Sequence, residues 1–343
     1  MTVSRTTSAL ALRQGGYATD AVPQVPPALD PFLELREVTL PALGEGQVLI
    51  EVILAPVNPS DLMYVQGSYG RPRTEGSPAG FEGLGRVIEG KGSAAEKLLG
   101  QRVAFLGTVS GSWAGHAISD AALCIPLRDD LRDEDGAALI VNPLTAVALL
   151  ELVRASGAKS FVLNAAGSQL GRLILGLARD EGFEPIAVIR RPEDREALLG
   201  LGAREVLVSG TGDFGEKAQA ALKSLKPRIL LDAVGDQIAA DLFFAMPTQA
   251  RWISYGKLSS EAPRLGQIGQ LIFMDKHIEG FWLSRWLPGV PPARRAELIA
   301  LVQDRFASHI WTTRVAATLP LAEAVEGIVA AYQPSAGKVM VKP

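Results

Sequence analysis

In SFVLNAAGSQLGRLILGLARDEGFEPIAVIRR, residues 160–191, the hydrophobic period switches from strand to helix and back to strand. Phe161, Val162 and Leu163 form a short apolar run of buried-strand type. A small-residue turn follows at Ala165, Ala166, Gly167 and Ser168, and then Leu170, Leu173, Ile174, Leu177 and Ala178 recur on one helical face. Gly182 stops that helix, and a second strand over 185–189 ends in Arg190 and Arg191. Strand, tight turn, helix, strand is the unit that sets a dinucleotide pyrophosphate on a helix N-terminus, where N–H groups and the dipole favour negative charge. The end of the second strand then selects the cofactor: a carboxylate holds the ribose hydroxyls of NAD, whereas arginine suits the 2′-phosphate of NADP. The stretch therefore points to NADPH. An ordinary βαβ crossover with a solvated basic end shares the pattern. The fingerprint also wants glycines close to the pyrophosphate, and Gln169 lies between Gly167 and Gly171. Its side chain must point away from the phosphates or lend its amide to them.

The 343 residues suffice for two domains. A hydrophobic fraction of 48% and a charged fraction of 21% are those of a globular protein. With a net charge of −3 and no long basic run, nucleic acid is not an expected partner. No apolar stretch is long enough to span a bilayer, so no membrane partner is expected. The N-terminal MTVSRTTSALALRQGG lacks the apolar core of a secretory signal, and 9–12 reads as a first strand. A transit peptide is the weaker reading, so the expected location is cytoplasmic, in a bacterial-like manner, rather than mitochondrial. The single Cys124 excludes an internal disulfide and a cysteine-based zinc cluster. With His116, His277 and His309 dispersed, no metal site is expected.

The first ~140 residues read as a β-rich module, with strands over 47–54, 85–89 and 102–105 between Gly/Pro turns. The acidic Asp133, Glu134 and Asp135 open a helix, and a second helix covers 143–155. Strands over 205–208, 228–232, 251–255 and 277–283 then alternate with helices from Phe214 and Gln237, the rhythm of a parallel doubly wound sheet. A last helix covers 293–306, and the tail ends in a strand over 337–341 that can return to the first module.

APVNPSDLMYVQGSYG (55–70), AGFEGLGRVIEGKG (79–92), VNPLTA (141–146), SYGKLS (254–259) and GFWLSRW (280–286) together resemble the medium-chain dehydrogenase/reductase superfamily. Within it the likeness is to zinc-independent 2-enoyl thioester reductases of the mitochondrial and bacterial type, neighbours of the quinone oxidoreductases. The resemblance implies an α/β fold with a barrel-like β-rich catalytic domain over 1–140, completed by 310–343. A Rossmann-type doubly wound NADP-binding domain would cover 141–309. Zinc alcohol dehydrogenases carry a Cys ligand in the loop that here reads Val57, Asn58, Pro59, Ser60, Asp61, and a His where Phe81 stands in Gly80, Phe81, Glu82. Both ligands are replaced, and Glu82 reads as structural.

Without a Lewis acid, a positioned donor must stabilise the enolate that forms when hydride reaches Cβ of an enoyl thioester, and a proton must reach Cα. A phenol, with its ordinary pKa of about 10, suits this. The family's catalytic tyrosine falls on Tyr69, with Tyr64 as the local competitor. Cofactor contacts implied by the resemblance fall on Asn142, Thr145, Gly167, Ser168, Gln169, Leu170, Arg190, Tyr255, Gly256, Lys257, Leu258, Phe281, Trp282, Leu283, Ser284 and Lys338, with Arg191 and Arg195 assisting. The family's second phosphate arginine is Pro192 here. Asn58, Trp282 and Trp286 are expected at the substrate pocket, although the tryptophans equally suit core or dimer interface. The implied activity is NADPH-dependent reduction of the C2=C3 bond of enoyl-CoA or enoyl-acyl-carrier-protein by a homodimer. The alternatives are a quinone or small activated-alkene reductase and, in another class, a non-catalytic NADPH-binding regulatory protein.

Overall fold

The computed structural model describes residues 5–332 and 336–343. Met1 to Ser4, part of the stretch weighed as a leader, lie outside the described residues. The chain divides into two compact units, residues 1–141 with 299–343, and residues 142–298.

The first unit begins with β1 (Arg5–Leu12) and β2 (Leu33–Leu40), paired antiparallel from Arg5↔Leu40 to Leu12↔Leu33. Then come β3 (Gln47–Pro56), β4 (Glu82–Gly90), β5 (Arg102–Leu106), β6 (His116–Asp120) and β7 (Cys124–Pro126). β3 pairs antiparallel with both β4 and β6, and β5 joins β4 to β7. Leu10, Leu12, Leu33, Val57, Leu62, Val65 and Trp113 form one core, in which the Trp113 indole donates to Pro56 O at 3.2 Å. The helix Pro59–Val65 fills the connection from β3 to β4, with proline at its first turn, where the missing N–H costs nothing.

The second unit is the doubly wound sheet: β8 (Ser160–Leu163), β9 (Glu184–Ile189), β10 (Glu205–Val208), β11 (Ile229–Asp232), β12 (Arg251–Ser254) and β13 (His277–Gly280). Their spatial order is β10-β9-β8-β11-β12-β13, all parallel. Counted within the unit this is 3-2-1-4-5-6, the dinucleotide-fold order, with its switch point between β8 and β11. β8 and β11 are buried throughout, as central parallel strands covered on both faces must be.

One expected strand is too long. Of the run 277–283 only His277–Gly280 is strand, and Leu283–Trp286 winds into a short helix. β12, the one strand paired with β13 among the described residues, ends at Ser254 opposite Gly280, and the last bond of the ladder is Phe281 N to Ser254 O at 2.8 Å.

The chain returns to the first unit with β14 (Val315–Pro320) and β15 (Lys338–Lys342), parallel to each other, while β15 lies antiparallel to β3. β14 escaped the sequence reading because it is an edge strand with no buried residue.

Candidate active site

In the second unit the turn from β8 to the helix Gln169–Asp180 is built to approach a ligand closely. Asn164 follows β8, accepts from Ala165 N through its side chain, and donates to Asp232 at 3.1 Å. Ala165 takes a positive φ of 52°, and the Ser168 hydroxyl caps the helix by accepting from Gly171 N. A Cβ on Gly171 would meet Ala166 O at 2.5 Å, so only glycine lets this helix sit so close to the turn. Gln169 is the first helical residue and has no positive φ, so the departure from glycine there carries no backbone strain. These features fit a pyrophosphate on the first turn of the helix.

Asp232, at the end of β11, is fully buried and gathers four donors: Asn164 Nδ2, Trp252 Nε1, Val234 N and Gly235 N. Burial pushes its carboxyl above the ordinary value, against the pull of those donors. One side chain thus ties the carboxyl end of β11, the edge where ligands bind in such sheets, to Asn164 after β8 and to Trp252 in β12. Tyr255 follows β12. Its hydroxyl is buried with no partner among the described residues, and burial together with Asp232 pushes its pKa up. A buried phenol normally has a partner, so this oxygen points to a group not supplied by the chain. A Cβ on Gly256 would lie 2.8 Å from Ala233 O; Lys257 is exposed and Leu258 half-buried. After β13, Phe281 packs on Trp286 with ring centres 6.2 Å apart, Leu283 is buried, and Ser284 is exposed. Trp282 precedes the short helix as its cap residue. Asn142 and Thr145 lie in the first turns of the helix Val141–Ala155, Thr145 buried and Asn142 half-buried.

At the end of β9 the cations are not equivalent. Arg191 is paired with Asp194 at 3.0 Å and with Glu193 at 3.8 Å, and Arg195 with Glu196 at 3.3 Å. Among the described residues Arg190 alone of the three has no ion pair, and it is exposed. Arg172 was not anticipated from sequence. It donates to Gly167 O at 3.2 Å and to Asp194 at 2.8 Å.

In the first unit Tyr69 is half-buried in an aromatic cluster. Its ring lies edge-on to Tyr64 at 6.5 Å and tilted against Phe81 at 4.9 Å. The Arg71 guanidinium stacks 4.9 Å from Tyr64 and 4.8 Å from Phe81, a cation on the same aromatic faces that the sequence reading did not single out.

Behind this cluster lies a buried polar chain. Lys338 donates to Asn58 Oδ1; Asn58 Nδ2 donates to Glu82 at 2.9 Å; Glu82 accepts from Val141 N at 2.8 Å and Ile140 N at 3.1 Å. Asp61 accepts from Asn58 N and Phe81 N, both at 2.8 Å. Burial pushes Asp61 up to about 7, raises Glu82 and lowers Lys338, with the Lys338 charge drawing both carboxyls back down. Asn58, expected at the substrate pocket, is 1% exposed, and both ends of its amide are bonded inside the unit. Lys338, expected at the cofactor, is buried, with its ammonium against Asn58 in a cluster with two carboxyls.

Three comparisons bear on this arrangement. Residues 44–129 match the alcohol dehydrogenase GroES-like domain. The mitochondrial enoyl-[acyl-carrier-protein] reductase of Dictyostelium discoideum is 31% identical over 251 residues, covering 71% of each chain. A crystal structure from Mesorhizobium loti, described as a candidate NADPH:quinone reductase, is 46% identical over the whole of both chains with a TM-score of 0.94. The chain belongs to the zinc-independent medium-chain dehydrogenase/reductases, close to the enoyl thioester reductases. Etr1p of Candida tropicalis, solved with NADP and crotonyl-CoA, shares the fold at 22% identity and a TM-score of 0.78, covering 99% of this chain and 100% of its own.

In this medium-chain reductase Phe81, at the position of a zinc ligand in the alcohol dehydrogenases, is spent on packing against Tyr64 and Tyr69. Among the described residues no group of three or more His, Cys, Asp or Glu is arranged to hold a metal. No helix among them is long and apolar enough to cross a membrane.

Proposed function

We propose that this reductase uses NADPH to reduce the C2=C3 bond of 2-enoyl thioesters carried on CoA or an acyl carrier protein. The observation that carries the reading is Tyr69, a half-buried phenol fixed between Tyr64 and Phe81 in the motif of the enoyl reductases. The names of the D. discoideum relative and of the Etr1p complex support the same acceptor class.

Residues 142–298 are assigned the cofactor. The helix Gln169–Asp180 receives the pyrophosphate at its first turn, Asn164 and Asp232 hold the turn in place, and Arg190 receives the 2′-phosphate. Asn142, Thr145, Tyr255, Gly256, Lys257, Leu258, Phe281, Trp282, Leu283 and Ser284 complete the cofactor contacts, and Trp286 with Trp282 walls the acyl group. When bound, the reduced nicotinamide supplies the hydride that adds to Cβ. Residues 1–141 with 299–343 are assigned the acid–base chemistry on the acceptor. There Tyr69 donates to the thioester oxygen as charge moves onto it and relays the proton to Cα.

The functional molecule is assigned as a homodimer formed through β13. This strand is the outer edge of the sheet, and Ile278 on it is exposed. The preceding helix Gly269–Phe273 exposes Ile272 and Phe273 at 72% and 86%. An open edge beside an apolar patch is a surface that a solitary chain normally protects.

A second reading is favoured by the M. loti structure: a quinone as acceptor, with the same cofactor site. Initial rates of NADPH oxidation with crotonyl-CoA, a longer enoyl-CoA and a quinone separate the two. The enoyl thioesters are expected to give the higher kcat/KM; a quinone preferred over both would assign the second reading.

A further inference from the structure

We propose that Asp194 is an internal competitor for the cofactor's 2′-phosphate and so sets how strongly the protein prefers NADPH over NADH. The inference rests on the NADPH reading above and names a residue that reading does not contain. The Asp194 carboxylate bridges two cations, with Oδ1 accepting from Arg172 at 2.8 Å and Oδ2 from Arg191 at 3.0 Å. It also lies against the phosphate turn, since a Cβ on Gly167 would sit 3.2 Å from Oδ2. Arg172 reaches the same turn by donating to Gly167 O. A negative group is thus already held beside the N-terminus of the helix Gln169–Asp180, between two arginines, at the end of β9.

Arg172 and Asp194 are each 18% exposed, so the pair is partly shielded from water and screened less than a surface bridge. A 2′-phosphate arriving at Arg190 meets Arg191 and Arg172 with their charges already satisfied. It must repel or displace Asp194 to use them. The same carboxylate is a ready acceptor for the 2′-hydroxyl of NADH, which carries no charge to be repelled. Both effects act in one direction: Asp194 lowers the preference for the phosphorylated cofactor.

The test is binding, not turnover. The full chain and its Asp194→Asn and Asp194→Ala variants are titrated calorimetrically with adenosine 2′,5′-bisphosphate, 5′-AMP, NADPH and NADH, and their thermal midpoints are recorded. With the competing charge gone, both variants are expected to bind adenosine 2′,5′-bisphosphate and NADPH roughly two- to fivefold more tightly, the scale of a partly exposed ion pair. Binding of 5′-AMP should stay within about twofold, and NADH should bind no better. Unchanged or weaker binding of the bisphosphate by variants that keep their thermal midpoint overturns the role of Asp194 alone. A wild-type protein that binds adenosine 2′,5′-bisphosphate no better than 5′-AMP overturns the NADPH reading, and this inference with it.

Discussion

Tyr69 is one phenol among three aromatic rings, yet the proposed chemistry gives it a role its neighbours lack. Tyr64 and Phe81 hold its ring, and Arg71 lies over theirs. Tyr69→Phe keeps the ring and those contacts and removes only the hydroxyl. The expected outcome is a fall in kcat on crotonyl-CoA of about 10²- to 10⁴-fold, the usual size of a lost acid–base or enolate-stabilising group, with NADPH affinity unchanged. Steady-state kinetics with a fluorescence titration of NADPH checks this, and wild-type turnover in the variant would remove Tyr69 from the mechanism. The sequence motif pointed to Tyr69 and to the glycine turn because both depend on neighbours in the chain. It was silent on Asp232, Asn164, Arg172 and Asp194. Their roles come from pairings 68 residues apart (Asn164 with Asp232) and 22 apart (Arg172 with Asp194), which no local pattern encodes. The same lack of long-range information hid the buried bonds of Asn58. Its partners Glu82 and Lys338 lie 24 and 280 residues away.

Elements with two covered faces were legible. β8, the helix Gln169–Asp180 and β9 follow the run of apolar residues closely, because burial dictates both length and period. Edges were not. β14 has no buried residue, and β13 stops where β12 stops, which depends on the partner strand rather than on its own residues. β13 is also where a prediction about an element belongs. If the edge pairs with a second copy, placing charge beside it should separate the protomers. Ile278→Lys combined with Phe273→Ser is expected to turn a dimer into a folded monomer in sedimentation velocity at micromolar concentration. A wild-type protein that already sediments as a monomer would contradict the assignment of this edge.

At the scale of the whole molecule, the chain carries two units with separate chemistry. One has the strand order, glycine turn and unpaired Arg190 that suit a phosphorylated dinucleotide. The other has an aromatic cluster with a phenol and a buried polar chain tying together Asn58, Glu82, Lys338 and the backbone at Val141. Catalysis as proposed requires both at once, so neither cofactor binding nor acceptor binding alone tests it. The most direct measurement is label transfer: NADPH carrying deuterium at the hydride position is incubated with the wild-type protein and crotonyl-CoA in ordinary water. NMR and mass spectrometry of the acyl product should find one deuterium at Cβ and a solvent hydrogen at Cα. NADPH consumed without a labelled saturated product, or deuterium found only at Cα, would contradict hydride delivery to an enoyl thioester.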